Sequence, residues 1–215
     1  MADLSTRLAE IRRRIEAAGR EPDAVTIVAV TKGFDASVCR DAVAAGLTIL
    51  GENRVQEGLA KMEEVDGATW HLIGHLQTNK VRHAAGRFAL IQSVDSVHLI
   101  EAIARMEPRQ QVLVEVNVAR EPQKSGAHPA HAHEVLAAAA NLLELRGLMA
   151  MGPAEGDPRP AFDELRRLRD EAQERIGTAL PLLSMGMSDD YEVAVAAGST
   201  MLRLGTALFG PRPHR

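Results

Sequence analysis

The stretch VTIVAVT, Val25–Thr31, followed by ASVCRDAVAA, Ala36–Ala45, decides the fold. The first segment is apolar or β-branched throughout, with none of the polar alternation of a half-exposed strand, so it reads as a strand covered on both faces. The second is long enough for at least two helical turns. Working outward, the same couplet recurs. Apolar runs stand at Thr48–Gly51, Trp70–Gly74, Ala89–Val94, Gln111–Val118, Arg146–Met151, Leu182–Met185 and Met201–Gly205. Helix-length segments lie between them at Arg54–Glu64, Thr78–Ala85, Ser96–Met106, Pro129–Leu142, Arg159–Ile176 and Asp189–Ala197. Eight β-type runs joined by helical crossovers predict an α/β protein with a single (β/α)8 barrel, and a doubly wound open sheet is the competing architecture. Ahead of the first run, Leu4, Leu8, Ile11 and Ile15 recur at helical spacing between a capping Asp3 and a stop at Gly19, which adds an N-terminal helix. GPAEGDPRP, Gly152–Pro160, reads as one surface loop, and residues 1–215 are expected to form one domain.

Composition narrows the function. The 215 residues are 46% hydrophobic and 25% charged, with Lys+Arg 25 against Asp+Glu 29 and a formal charge of −4. No long block of one sign occurs, so nucleic acid is not an expected partner. A single cysteine, Cys39, excludes an internal disulfide framework and a cysteine-based zinc site within one chain. Charges interrupt the N-terminal segment, and no apolar run approaches eighteen residues, so a membrane is not an expected partner and a cytoplasmic location is the expectation.

Barrel proteins place their sites at the C-terminal ends of the strands, and often hold phosphate in the loops after the seventh and eighth. Here those loops read Ser184-Met-Gly-Met-Ser188-Asp-Asp190 and Arg203-Leu-Gly205-Thr206. Backbone N–H groups at helix starts, with the Ser188 and Thr206 hydroxyls, form a potential anion cradle. Gly186 and Gly205 would let a phosphate approach the backbone. The plainer reading is that Ser188 and Asp189 only cap a helix and Gly205 only turns the chain.

Only four of the 25 basic residues are lysines: Lys32, Lys61, Lys80 and Lys124. Lys32 ends the first run, where its amine would project into the barrel mouth. Apolar walls there favour the neutral amine that attacks an aldehyde. The alternative is a lysine snorkelling to solvent. Lys124, in QKSG, is the rival mouth lysine, Lys80 opens a helix, and Lys61 reads as solvated helix surface. Glu52, Asn53, His75, Gln77 and Asn117 fall at the same rim. Arg203, alone between leucines in MLRLG, must point opposite to them. The sequence contains no G-x-x-x-x-G-K-[ST] loop, no G-x-G-x-x-G after a strand and no G-x-S-x-G elbow. His128, His131 and His133 straddle Pro129 without a third ligand on one face, so no metal site is expected. Met149, Met151, Met185, Met187 and Met201 read as core filling.

Six ordered motifs carry a resemblance: AVTKGF (Ala29–Phe34), GENRVQE (Gly51–Glu57), WHLIGHLQTNK (Trp70–Lys80), VEVNVAREPQKSG (Val114–Gly126), RGLMAM (Arg146–Met151) and LSMGMSDDYEVAVAAGSTMLRLGTALFG (Leu183–Gly210). Together they resemble, over the full length, the pyridoxal 5′-phosphate (PLP) homeostasis family. The resemblance implies a barrel of the alanine-racemase N-terminal type with PLP as cofactor, held as a Schiff base on Lys32. It further implies phosphate contacts from Ser188, Gly205 and Thr206, with Arg203 facing the pyridine nitrogen and Asn53, His75 and Met185 in the pocket. Thr31 and Gly33-Phe34 flank the lysine where Ser and Thr-Lys are common.

An arginine beside the ring nitrogen disfavours its protonation and weakens the ring as an electron sink. A two-base racemase would also need a second base, and the chain has one tyrosine, Tyr191, expected on the helix after the seventh run. The expectation is therefore a monomeric carrier that stores PLP or delivers it to PLP-dependent apo-enzymes. The alternatives are a racemase-like PLP enzyme and a barrel that binds a phosphate ligand non-covalently.

Overall fold

The computed structural model describes residues 3–211. Helix α1, Leu4–Ala17, starts where Asp3 accepts the Thr6 N–H at 2.8 Å, and buries Ile11 and Ile15. Strands and helices then alternate: β1 (Thr26–Val30), α2 (Ala36–Ala44), β2 (Ile49–Glu52), α3 (Val55–Met62), β3 (Thr69–Leu72), α4 (Val81–Ala84), β4 (Leu90–Val94), α5 (Val97–Met106), β5 (Gln111–Glu115), α6 (Ala132–Leu142), β6 (Glu144–Met149), α7 (Arg159–Ile176), β7 (Leu182–Ser184), α8 (Tyr191–Ala196), β8 (Met201–Leu204) and α9 (Thr206–Phe209).

All neighbouring strands are parallel, and β1 pairs with both β2 and β8, so the eight strands close into a barrel. The closed barrel excludes the open-sheet alternative. Within the closed barrel, period-two alternation points one face of each strand to the axis and the other to the helices. Val28, Leu90, Leu113, Met149 and Met201 fill the axis, with Ile49 and Leu182 against them. A larger apolar shell, including Leu50, Leu72, Ile91, Leu148 and Leu202, joins the strands to the helices.

Two expected elements differ. Thr78–Ala85 is not one helix: a 3₁₀ turn at Thr78–Lys80 precedes the four-residue α4. Pro129–His131 is likewise a 3₁₀ turn ahead of α6, with the His128 ring accepting the Ala130 N–H at 3.2 Å. Proline presets the first residue of such a turn, and the tighter winding fits short helix entries.

Candidate functional site

The C-terminal ends of the strands surround a cup of about 320 Å³, within the range of small-molecule sites. On β1, Val28 belongs to the barrel axis, so alternation carries Val30 and Lys32 to the cup wall. Lys32 sits in a tight turn: the Phe34 N–H donates to the Thr31 carbonyl at 3.1 Å, and Gly33 has φ +77°. That is the signature of a type II turn, whose third position favours glycine. Phe34 stacks at a tilt on Phe209 of α9, ring centroids 5.5 Å apart, and so ties this turn to the loop after β8.

The opposite wall comes from the last two loops. Ser188, Gly205 and Thr206 line the cup, and the Ser188 hydroxyl accepts the Ala207 N–H at 3.0 Å, joining the two segments. A Cβ on Gly205 would meet only ordinary contacts with Val30, from 3.4 Å outward, so no packing demand requires glycine there and the free space belongs to the cup. Gly186 differs from its expected role. With φ +98°, and with Ala194 and Leu202 side-chain atoms 2.6 and 2.8 Å from a Cβ, it is glycine to let β7 turn against α8 and β8.

Arg203 forms part of the floor and is itself buried. Its Nη1 donates to the Ser184 carbonyl at 2.9 Å and to the Ser184 hydroxyl at 2.7 Å, and its Nη2 donates to the Ala150 carbonyl at 2.8 Å. Ser184 donates onward to Gln92 Oε1 at 2.7 Å, and Gln92 Nε2 lies 3.0 Å from His71 Nδ1. Burial holds the His71 ring down to about 4, so at neutral pH it is uncharged and Nδ1 accepts. The line Arg203, Ser184, Gln92, His71 thus runs donor to acceptor in one direction. Burial draws the guanidinium down to about 10, against the opposing influence of Glu115 and Asp190, which leaves it charged at neutral pH.

Glu115 was not among the expected site residues. It lines the cup at 3% exposure, and burial pushes its carboxyl up to about 7; Arg203 opposes the shift and Asp95 adds to it. The alternation of QVLVEVNV held the signal, since Leu113 lies on the axis and Glu115 stands two residues above it.

The remaining expected residues divide. Asn53 and His75 reach the cup rim, and the half-exposed His75 Nδ1 lies 3.4 Å from Asp95. Met185 does not line the cup: alternation sends its fully buried side chain into the shell between strands and helices, while Met151 and Met187 line the cup in its place. Lys124 also fails to reach it, because its amine donates to Glu121 at 2.9 Å and to the Gly152 carbonyl at 2.6 Å, tying the β5 loop to the β6 loop. Asn117 braces that loop by donating to the Glu121 and Lys124 carbonyls. Gln77 is exposed at the 3₁₀ turn after β3. Tyr191, at the start of α8, is buried toward Arg14 of α1 and away from the cup. His133 lies 3.3 Å from Glu171.

Lys61 is not solvated surface. It is 6% exposed, and its amine meets Glu52 Oε1 at 2.6 Å, Glu57 Oε1 at 3.2 Å and the Thr31 carbonyl at 2.8 Å. Glu52, fully buried, accordingly faces α3 and not the cup, and its Oε1 also accepts the Thr31 hydroxyl at 2.6 Å.

A closed eight-stranded barrel with a mouth lysine, an arginine floor and a paired seventh and eighth loop defines a barrel of the alanine-racemase type. The family model described as alanine racemase, N-terminal domain, matches residues 6–213. Within that class the chain belongs to the pyridoxal phosphate homeostasis protein family. It is 40% identical to the pyridoxal phosphate homeostasis protein of Aquifex aeolicus, covering 98% of this chain and 97% of that one. It is 39% identical to the protein of that name from Escherichia coli K12, covering 100% and 99%. The solved structure of PipY from Synechococcus elongatus with PLP bound superposes with a TM-score of 0.85 at 36% identity, covering 97% of this chain and all of that one. Alanine racemase from Corynebacterium glutamicum shares the fold at a TM-score of 0.79 and 17% identity, over 99% of this chain and 62% of that enzyme.

Proposed function

We propose that this chain binds PLP in the cup, anchors it on Lys32, and serves intracellular PLP homeostasis by storing or delivering it. The observation that carries the reading is that Lys32, Arg203 and the joined Ser188 and Gly205-Thr206 segments line one cup of about 320 Å³. The residues fit the group: an amine for its aldehyde, hydroxyls and backbone N–H groups for its phosphate, and a buried cation for its ring. The homeostasis proteins of Aquifex and Escherichia coli and the PLP-bound PipY support the same assignment.

When bound, PLP supplies an aldehyde that condenses with a neutral amine, with loss of water. Lys32 presents that amine from a rigid turn. Ser188 and Thr206 offer hydroxyls to the phosphate, and Arg203 places a fixed cation that disfavours a proton on a neighbouring ring nitrogen. Tyr191 faces α1 and cannot serve as a second base across from Lys32. The arrangement therefore favours holding the group over carbanion chemistry. On this reading the protein works as a single-domain monomer in the cytoplasm. Asn53 and His75 line the rim.

The test is borohydride reduction of PLP-loaded protein followed by peptide mapping. A pyridoxyl mass on the Lys32 peptide, absent from Lys32→Ala, is the expected result. Label on Lys124 or Lys80, or none, refutes the assignment.

A further inference from the structure

The turn that carries Lys32 is gripped from behind by α3. Type I and type II turns differ by a flip of the central peptide, which here joins Lys32 to Gly33. The Gly33 N–H of that peptide donates to Glu57 Oε1 at 2.8 Å. The peptide before Lys32 is held as well, since the Thr31 carbonyl accepts both the Phe34 N–H and the Lys61 amine. Lys61 in turn braces Glu57 at 3.2 Å and is itself anchored on buried Glu52. Charged side chains of α3 therefore fix both peptide groups flanking the lysine, and none of them lines the cup.

We propose that Glu57, braced by Lys61, is a positioning residue: by accepting the Gly33 N–H it selects the orientation of the Lys32–Gly33 peptide and so sets the direction from which the Lys32 amine enters the cup. A flexible lysine at this point would sample both turn forms, and each productive approach to a bound carbonyl would have to be found anew. Charge-assisted acceptance of a backbone N–H is among the stronger hydrogen bonds, and Glu57 is only partly exposed, so solvent does not replace it freely. The assignment rests on Lys32 being the anchor proposed above.

Three proteins test it: wild type, Glu57→Ala, and Glu57→Gln, whose amide oxygen can still accept. In the ligand-free full chain, hydrogen exchange at the Gly33 amide should accelerate about tenfold in Glu57→Ala, the scale of one lost charge-assisted hydrogen bond. Amides of β1 should exchange as in wild type. PLP should leave the loaded Glu57→Ala protein about tenfold faster than wild type, on the same scale. Glu57→Gln should stay within about threefold of wild type, because a neutral acceptor retains part of that interaction. Unchanged Gly33 exchange or unchanged PLP release in Glu57→Ala overturns the positioning role, as does a glutamine variant as impaired as alanine. Borohydride mapping on wild type separates the two levels. Label on Lys32 with indifferent Glu57 variants sinks the positioning role alone, whereas label on another lysine sinks the anchor and the positioning role together.

Discussion

Lys61 Nζ and Glu52 Oε1 meet at 2.6 Å behind the ends of β1 and β2, with side-chain exposures of 7% and 0%. Removing one partner strands a buried charge. Lys61→Met should lower the unfolding free energy by about 3–5 kcal/mol, while Lys61→Met combined with Glu52→Leu should recover at least half of the loss, since replacing both ions by apolar groups is often near neutral. Urea titrations of the single and double variants measure it.

Glu115 and His71 pull stability in opposite directions with pH. Glu115 holds its proton up to about 7 in the fold, so its penalty is absent at low pH and grows as pH rises from the ordinary carboxylate range to 7. His71 stays neutral down to about 4, so its penalty is absent above its ordinary value and grows as pH falls toward 4. In the ligand-free protein the two slopes oppose each other over much of that interval. Glu115→Gln should therefore be more stable than wild type by roughly 2–3 kcal/mol above pH 7, a gain that vanishes by about pH 4. Thermal unfolding across pH 4–8 should show that variant losing stability steeply on acidification.

Thr206 lines the cup and is exposed there. Thr206→Val removes that donor and keeps the shape. It should weaken PLP retention by about 1.5–3 kcal/mol, the range for a hydrogen bond to a charged group. Equilibrium dialysis of loaded protein reads the change, and retention equal to wild type would remove the Thr206 hydroxyl from the phosphate contacts and leave those to Ser188 and the backbone donors.

Gly186 combines φ +98° with a Cβ position 2.6 Å from the Ala194 Cβ. Gly186→Ala should cost about 2–4 kcal/mol through backbone strain and overpacking. The melting temperature of the ligand-free variant checks it, and a stability within error of wild type would contradict the packing role.

The barrel was legible because most of its strands fall within short, largely apolar runs that alternate with helix-length segments. The Val25–Thr31 run contains β1 at Thr26–Val30, and α7 occupies the expected Arg159–Ile176. That Lys32, Ser188, Gly205 and Thr206 share one mouth was legible because such a barrel has one functional end. Residues joined across elements were harder to read. Lys61 looks solvated when taken alone, yet Val55, Gly58 and Lys61 share the buried stripe of α3, and only the pairing of that helix with β2 shows what waits for the amine. Met185 is one alternation step away from the cup, a distinction that depends on which residue of β7 faces the axis. Glu115 was hidden inside an apolar run, where its charge reads as an interruption unless the inward register is known.

Three of the five N–H donors that a guanidinium carries are committed by Arg203 to Ser184 and Ala150. At most two remain for any guest, and the side chain is moored too firmly to swing after one that departs. Emptying the cup therefore leaves its floor standing in place, so each new occupant meets a cation already set.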